Sequence, residues 1–124
     1  MRAQTTQVGD LAVRAAVKVD RDTTAADCAR IMHSEHVGSV IVTDGAGGKG
    51  LVTDRDIVIE VVATGLDPAT LTAGDMMAPP LATVRESDDL LAALARMREQ
   101  GVRRLGVVDD EARLTSVLAV DNRL

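Results

Sequence analysis

The 124-residue chain contains no Phe, Trp or Tyr, a single cysteine and three prolines. Without aromatic rings the core has to be assembled from Val, Leu, Ile, Ala and Met, and no ligand base can stack on a side-chain ring. Cys28 alone cannot close an intramolecular disulfide, which excludes a disulfide-stapled scaffold. Basic residues are outnumbered, 14 Lys and Arg against 19 Asp and Glu, and the net charge of −5 has the wrong sign for attraction to a nucleic-acid backbone. Long apolar runs are missing too. Leu90 to Ala95 is among the longest, far short of the roughly 18 to 20 residues a membrane helix needs, and Met1 to Gln7 lacks the apolar core of a secretory signal. These absences predict a soluble, cytoplasmic protein with no nucleic-acid or membrane partner. What remains is 46% hydrophobic and 27% charged, one globular domain's worth of chain.

The sequence repeats itself at a shift of 65 residues. Residues 8–44 laid on 73–109 pair Gly9 with Gly74, Asp10 with Asp75, Val19 with Val84, Met32 with Met97, Val37 with Val102, Val42 with Val107 and Asp44 with Asp109. Composition alone gives roughly two or three such matches. The apolar pattern coincides as well: Ala25, Cys28, Ala29 and Met32 fall on Leu90, Ala93, Leu94 and Met97. Both sets have the i, i+3, i+4, i+7 spacing of a helix with one buried stripe. Each half therefore predicts the same order of elements. A short strand at Val17–Val19 or Ala82–Val84 precedes a helix that Asp22 or Ser87 is placed to cap. A β-branched strand follows, Ser39–Thr43 or Arg104–Val108, and then a hairpin partner, Gly50–Thr53 or Ser116–Ala119. In the first half a second helix runs from Asp54 to Thr64 with Ile57, Val58, Val61 and Val62 inward and Gly65 as its stop. In the second half that closing helix is truncated or absent.

The segments Val8-Gly9-Asp10-Leu11, Asp22 to Ala26, Val37-Gly38-Ser39-Val40-Ile41-Val42 and Gly50-Leu51-Val52-Thr53-Asp54-Arg55-Asp56-Ile57 together resemble a cystathionine β-synthase (CBS) domain. The second copy resembles another, through Gly74-Asp75-Met76-Met77, Val102 to Asp109 and Val117 to Asn122. The resemblance covers residues 8–124 and implies a Bateman module. Its expected fold is α+β: tandem β-α-β-β-α repeats packed sheet to sheet with pseudo-two-fold symmetry. Repeat 1 is set at residues 8–66, a linker at 67–73 and repeat 2 at 74–124. The resemblance further implies a non-enzymatic, regulatory homodimer that binds an adenosyl compound between its repeats, with AMP, ADP, ATP or S-adenosylmethionine as candidates and no obligatory cofactor.

Physical chemistry singles out Gly50 to Asp56 as the place for such a ligand. Thr53 ends a predicted strand and a helix follows at once, so free amides and the positive end of the helix dipole meet at one spot that suits phosphate. By resemblance, Thr53 touches phosphate or ribose and Asp56 accepts the ribose hydroxyls, with Asp54 and Arg55 beside them and Arg55 adding charge at the phosphate end. A carboxylate accepts both hydroxyls of a cis-diol, which favours ribose over deoxyribose. Resemblance also assigns Arg103 and Arg104 to the phosphates, and Ala16, Val17 and Lys18 to the base. In the second copy the corresponding positions are Ser116, Ala119 and Asn122. With the hydroxyl and the carboxylate gone, Ala119 and Asn122 mark a degenerate second site.

Competing readings exist. Thr53-x-x-Asp56 is also a capping box that needs no ligand, and a pair with an empty site would be a structural dimerisation or adaptor module. Gly45 to Gly50 spells G-x-G-x-x-G, yet it joins two strands and opens no helix, so dinucleotide binding is excluded. Cys28, His33 and His36 lack a fourth metal ligand, and no metal site is expected. No nucleophile–base set stands out, and Asp54 and Asp56 have no partner base.

Overall fold

The computed structural model of the chain describes residues 6–11, 17–45, 47–80 and 82–120. In chain order the elements are α1 (Val8–Leu11), β1 (Lys18–Asp20), α2 (Ala25–Glu35), β2 (Ser39–Thr43), β3 (Gly48–Thr53), α3 (Asp54–Ile57), a widened π turn (Val58–Val62), α4 (Ala73–Met76), β4 (Thr83–Arg85), α5 (Leu90–Gln100), β5 (Arg104–Val108) and β6 (Leu114–Ala119). They form two compact units. One is Val17–Pro79; the other joins the described parts of Met1–Ala16 to those of Pro80–Leu124.

In the Val17–Pro79 unit, β1 runs parallel to β2 with Lys18 opposite Ile41, and β2 runs antiparallel to β3 with Ser39 opposite Thr53. The other unit repeats this. Thr83 lies opposite Gly106 in the parallel pair β4–β5, and Arg104 opposite Ala119 in the antiparallel pair β5–β6. The first pair is displaced by the 65 residues read from the sequence, and the hairpin partner by one more. The antiparallel register shifts at matching places, Val42/Thr43 and Val107/Val108. The fold is α+β, written twice.

Helices α2 and α5 bury the stripe their spacing predicts: Ala25, Cys28 and Met32 in one, Ala93 and Met97 in the other. They pack on Val19, Val40, Val42 and Val52 in the first unit and on Val84, Leu105, Val107 and Leu118 in the second. Both helices end in the left-handed region, at His36 (φ 56°) and Gly101 (φ 67°). Their caps differ from expectation. Thr24 and Asp89, two residues beyond Asp22 and Ser87, accept the Asp27 and Ala92 amides at 3.1 Å. The reason is the turn that leaves the preceding strand, closed by Thr23 N–H on the Asp20 carbonyl and Asp88 N–H on the Arg85 carbonyl, which delays each helix start.

The opening helix of each sequence repeat packs on strands from the other repeat. The Val8 and Gly9 amides donate to the Asp88 and Glu86 carbonyls at 2.8 Å, and Val8 is fully buried. Correspondingly, the Ala73 and Gly74 amides donate to the Thr23 and Arg21 carbonyls at 2.7 and 2.9 Å. The carbonyls of Pro68 and Leu71 take the first-turn amides of Ala26 and Ala25. The connecting segment thus completes the start of α2.

The helix after β3 departs from its expected form. It is α-helical only to Ile57 and then widens, and of the four apolar residues expected inward only Val61 is buried. Ile57 is half-buried, whereas Val58 and Val62 are 56% and 71% exposed. Widening lengthens the period, so a stripe laid out for 3.6 residues per turn no longer shares one face. Gly65 does close the segment, with φ +74° and its amide on the Val61 carbonyl.

Candidate functional site

Thr53 is the last residue of β3 and the cap of α3, so a strand end and a helix start coincide at one side chain. Its Oγ1 accepts the Asp56 amide at 3.1 Å, while its own amide donates to Asp56 Oδ2 at 2.8 Å. The capping box of the structural reading is therefore present. It leaves acceptor capacity unused, because each carboxylate oxygen carries two lone pairs and the box draws on one of them. The box fixes the direction of a half-buried carboxylate without saturating it. The Asp54 amide donates to the Gly38 carbonyl at 2.9 Å, which ties the helix start to the chain entering β2, and the Arg55 amide is held by Asp54 Oδ1 at 2.8 Å. Asp54 and Arg55 face solvent.

The register gathers the other first-unit candidates at the same end of this sheet. Val17 is half-buried, its carbonyl accepts the Ile41 amide at 2.9 Å, and Lys18 follows on β1 with its side chain exposed. The starts of β1 and β2 and the finish of β3 therefore share one sheet end, which places Val17, Lys18 and the Thr53–Asp56 segment together. Ala16 lies outside the described residues.

In the other unit the equivalent end holds Arg103, Arg104 and Ala119. Arg103 is exposed and its carbonyl accepts the Val120 amide at 3.0 Å; Arg104 is half-buried and pairs with Ala119. Ala119 takes the register place of Thr53, so no hydroxyl is present there. Asn122 lies outside the described residues.

A second Thr-x-x-Asp box shows what the motif does on its own. Thr72 caps α4, its amide donating to Asp75 Oδ2 at 3.1 Å and its Oγ1 accepting the Asp75 amide at 3.3 Å. The sequence shows both boxes at identical spacing, but only Thr53 stands at the end of a sheet strand. Arg96 of α5 donates from Nη1 to the Thr83 carbonyl at 2.6 Å. With Asp88 Oδ2 on the Arg85 amide, it covers the outer edge of β4. Around them a shallow hollow of about 170 Å³ is lined by Val84, Asp88, Asp89, Ala92, Ala93 and Arg96, none of them a predicted site residue.

Among the described residues no group of three His, Cys, Asp or Glu side chains is placed to hold a metal ion. Burial pushes the Cys28 thiol up, and the charge of Asp27 acts in the same direction, so it is a protonated core residue and a poor ligand. No helix among the described residues is long and apolar enough to cross a membrane.

A family model described as the CBS domain matches residues 8–63 and again 73–121. The chain belongs to the CBS domain family. As a CBS pair it is 33% identical over 118 residues, 94% of its length, to an uncharacterized protein of Methanopyrus kandleri, of which it covers 60%. It is 36% identical over 91 residues, 73% of its length, to Hypoxic response protein 1 of Mycobacterium tuberculosis, of which it covers 63%. The CBS pair thus spans about three fifths of these curated relatives. Among solved structures, Hypoxic Response Protein I with two coordinated zinc ions matches with a TM-score of 0.75, 30% identity and 92% of both chains. A CBS domain protein from Pyrobaculum aerophilum complexed with AMP matches with a TM-score of 0.78, 26% identity, 92% of this chain and 87% of that one.

Proposed function

We propose that this CBS pair is a regulatory ligand sensor, with no catalytic role, whose ligand is an adenine nucleotide or another adenosyl compound such as S-adenosylmethionine. The supporting observation is the Asp56 carboxylate, half-buried, held in one direction by the Thr53 amide and still able to accept hydrogen bonds from a ribose diol. The AMP complex of the Pyrobaculum aerophilum relative supports the same ligand class. In this reading Thr53 meets ribose or phosphate, Arg55, Arg103 and Arg104 supply positive charge to phosphate, and Val17, Lys18 and Ala16 hold the base. Asp54 fixes the loop by gripping the Arg55 amide. The Ala119 and Asn122 end is the weaker site. The repeats are placed at residues 8–66 and 74–124 with 67–73 between them, in a cytoplasmic homodimer.

Titration with AMP, ADP, ATP and S-adenosylmethionine by calorimetry and thermal shift tests this. Asp56→Asn keeps an acceptor for the Thr53 amide but removes the charge, so it should fold and bind more weakly. No response of the wild type to any of the four overturns the sensor. The second reading, a dimerisation module with no ligand, is favoured by the exposure of Val58, Ile59 and Val62 on one element. That reading predicts a dimer whose thermal stability ignores all four compounds.

A further inference from the structure

The helix that leaves the Thr53–Asp56 box changes its hydrogen-bond register within two turns. The Val58 amide is shared between the carbonyls of Asp54 and Arg55. The Ala63 amide then reaches back five residues, to the Val58 carbonyl at 2.8 Å, whereas the Gly65 amide reaches back four, to Val61 at 3.0 Å. Between the Ala63 and Gly65 amides lies one amide; between the Val58 and Val61 carbonyls lie two carbonyls. One carbonyl must therefore go without a backbone donor. At this place the Thr64 side chain donates from Oγ1 to the Glu60 carbonyl at 2.7 Å, with the Val61 carbonyl at 3.4 Å. This hydroxyl thus adds a donor among the carbonyls at the end of the widened turn. Such turns are rare and concentrate at functional sites. This one carries Val58, Ile59 and Val62, all exposed, and the extra residue it holds is worth a rotation of about 100° for whatever follows.

We propose that Val58–Val62 is a two-register joint, biased by the nucleotide at the Thr53–Asp56 box, that reorients this apolar face. The inference rests on the nucleotide reading above. Ribose hydroxyls donating to Asp56 draw on the carboxylate that also anchors the Thr53 amide, and Asp56 stands two residues before the shared Val58 amide. A ligand that bonds Asp56 better in one register shifts the joint by that difference and no more. By reciprocity, a substitution that shifts the joint must change nucleotide affinity.

The test combines calorimetry with AMP and amide hydrogen exchange followed by NMR. Deleting Ile59 removes the extra residue and fixes the α register; Thr64→Val removes only the hydroxyl and serves where the deletion does not fold. The expected result is that AMP changes exchange at the Ala63 and Gly65 amides at least about threefold in the wild type. Thr64→Val should alter AMP affinity by a similar factor, although Thr64 belongs to neither the box nor the proposed contacts. AMP binding with unchanged exchange at these amides, or unchanged affinity in Thr64→Val, overturns the joint and leaves the nucleotide site standing. Absence of AMP binding overturns both.

Discussion

Pro80 fills the space that Gly106 leaves open: a methyl group on Gly106 would stand 2.7 Å from Pro80 Cγ and 2.8 Å from Leu114 Cδ1. In the other repeat the same register place is Ile41, which is 1% exposed and fills its own space. Gly106→Ala should therefore overpack and destabilise by about 1 to 3 kcal/mol. Pro80→Ala in the same chain, which removes Cγ, should recover part of the loss. Urea unfolding followed by far-UV circular dichroism measures both, since the chain has no aromatic fluorescence. Equal stability of Gly106→Ala and wild type would show that the pair is not close-packed.

The two capping boxes separate a structural from a ligand-binding threonine. Thr72→Ala and Thr53→Ala each remove a side-chain acceptor at a helix start and should each cost about 1 kcal/mol. Only Thr53→Ala should also weaken the thermal shift produced by AMP. A Thr72→Ala protein that loses the AMP response while remaining folded would contradict the assignment.

The central strands β2 and β5 were legible residue for residue, because Ser-Val-Ile-Val-Thr and Arg-Leu-Gly-Val-Val are apolar runs bounded by turn signals. So was the repeat, down to the single-residue offset of the hairpin partner. The caps were missed because several oxygen-bearing side chains precede each helix, and only the turn after β1 or β4 decides which one stands at its start. The exposure of Val58 and Val62 was missed because hydrophobic spacing assumes the α-helical period that the widened turn abandons. Nothing local announces that Val8 is buried against the strands of the second repeat, since its partners lie some eighty residues along the chain. At the site, the sequence gives the box and its strand end. The sheet register then adds which residues of β1 and β2 share that end with Thr53.

The exchange of opening helices has a measurable consequence. Val8→Ala removes a fully buried side chain from the cluster of Val84, Leu105, Val107 and Leu118 and should cost about 2 kcal/mol. Hydrogen exchange should accelerate at the amides of β5 and β6, which Val8 supports from the far end of the sequence, more than at those of β2 and β3. Acceleration confined to β2 and β3 would contradict the packing.

The hairpin between β5 and β6 carries an acid-sensitive lock. Asp109 Oδ1 accepts the Glu111 and Arg113 amides at 2.9 and 3.0 Å, and Oδ2 accepts Arg113 Nε at 3.0 Å. The Arg113 amide bond, reinforced by the guanidinium and the Glu111 amide, holds the Asp109 carboxyl below its ordinary value, against a smaller opposing effect of burial. A carboxyl whose value is lower in the folded than in the unfolded chain stabilises the fold above the unfolded value of about 3.9. That stabilisation disappears as the pH falls through the folded value. Thermal midpoints measured between pH 6 and pH 2 should therefore fall less steeply at the acid end in Asp109→Asn, which is already uncharged, than in the wild type. Because Arg113 also pairs with Glu111, at 3.4 Å, a Glu111→Gln control should keep most of the wild-type slope. Identical acid limbs in wild type and Asp109→Asn would mean that the Asp109 network does not distinguish the folded from the unfolded chain.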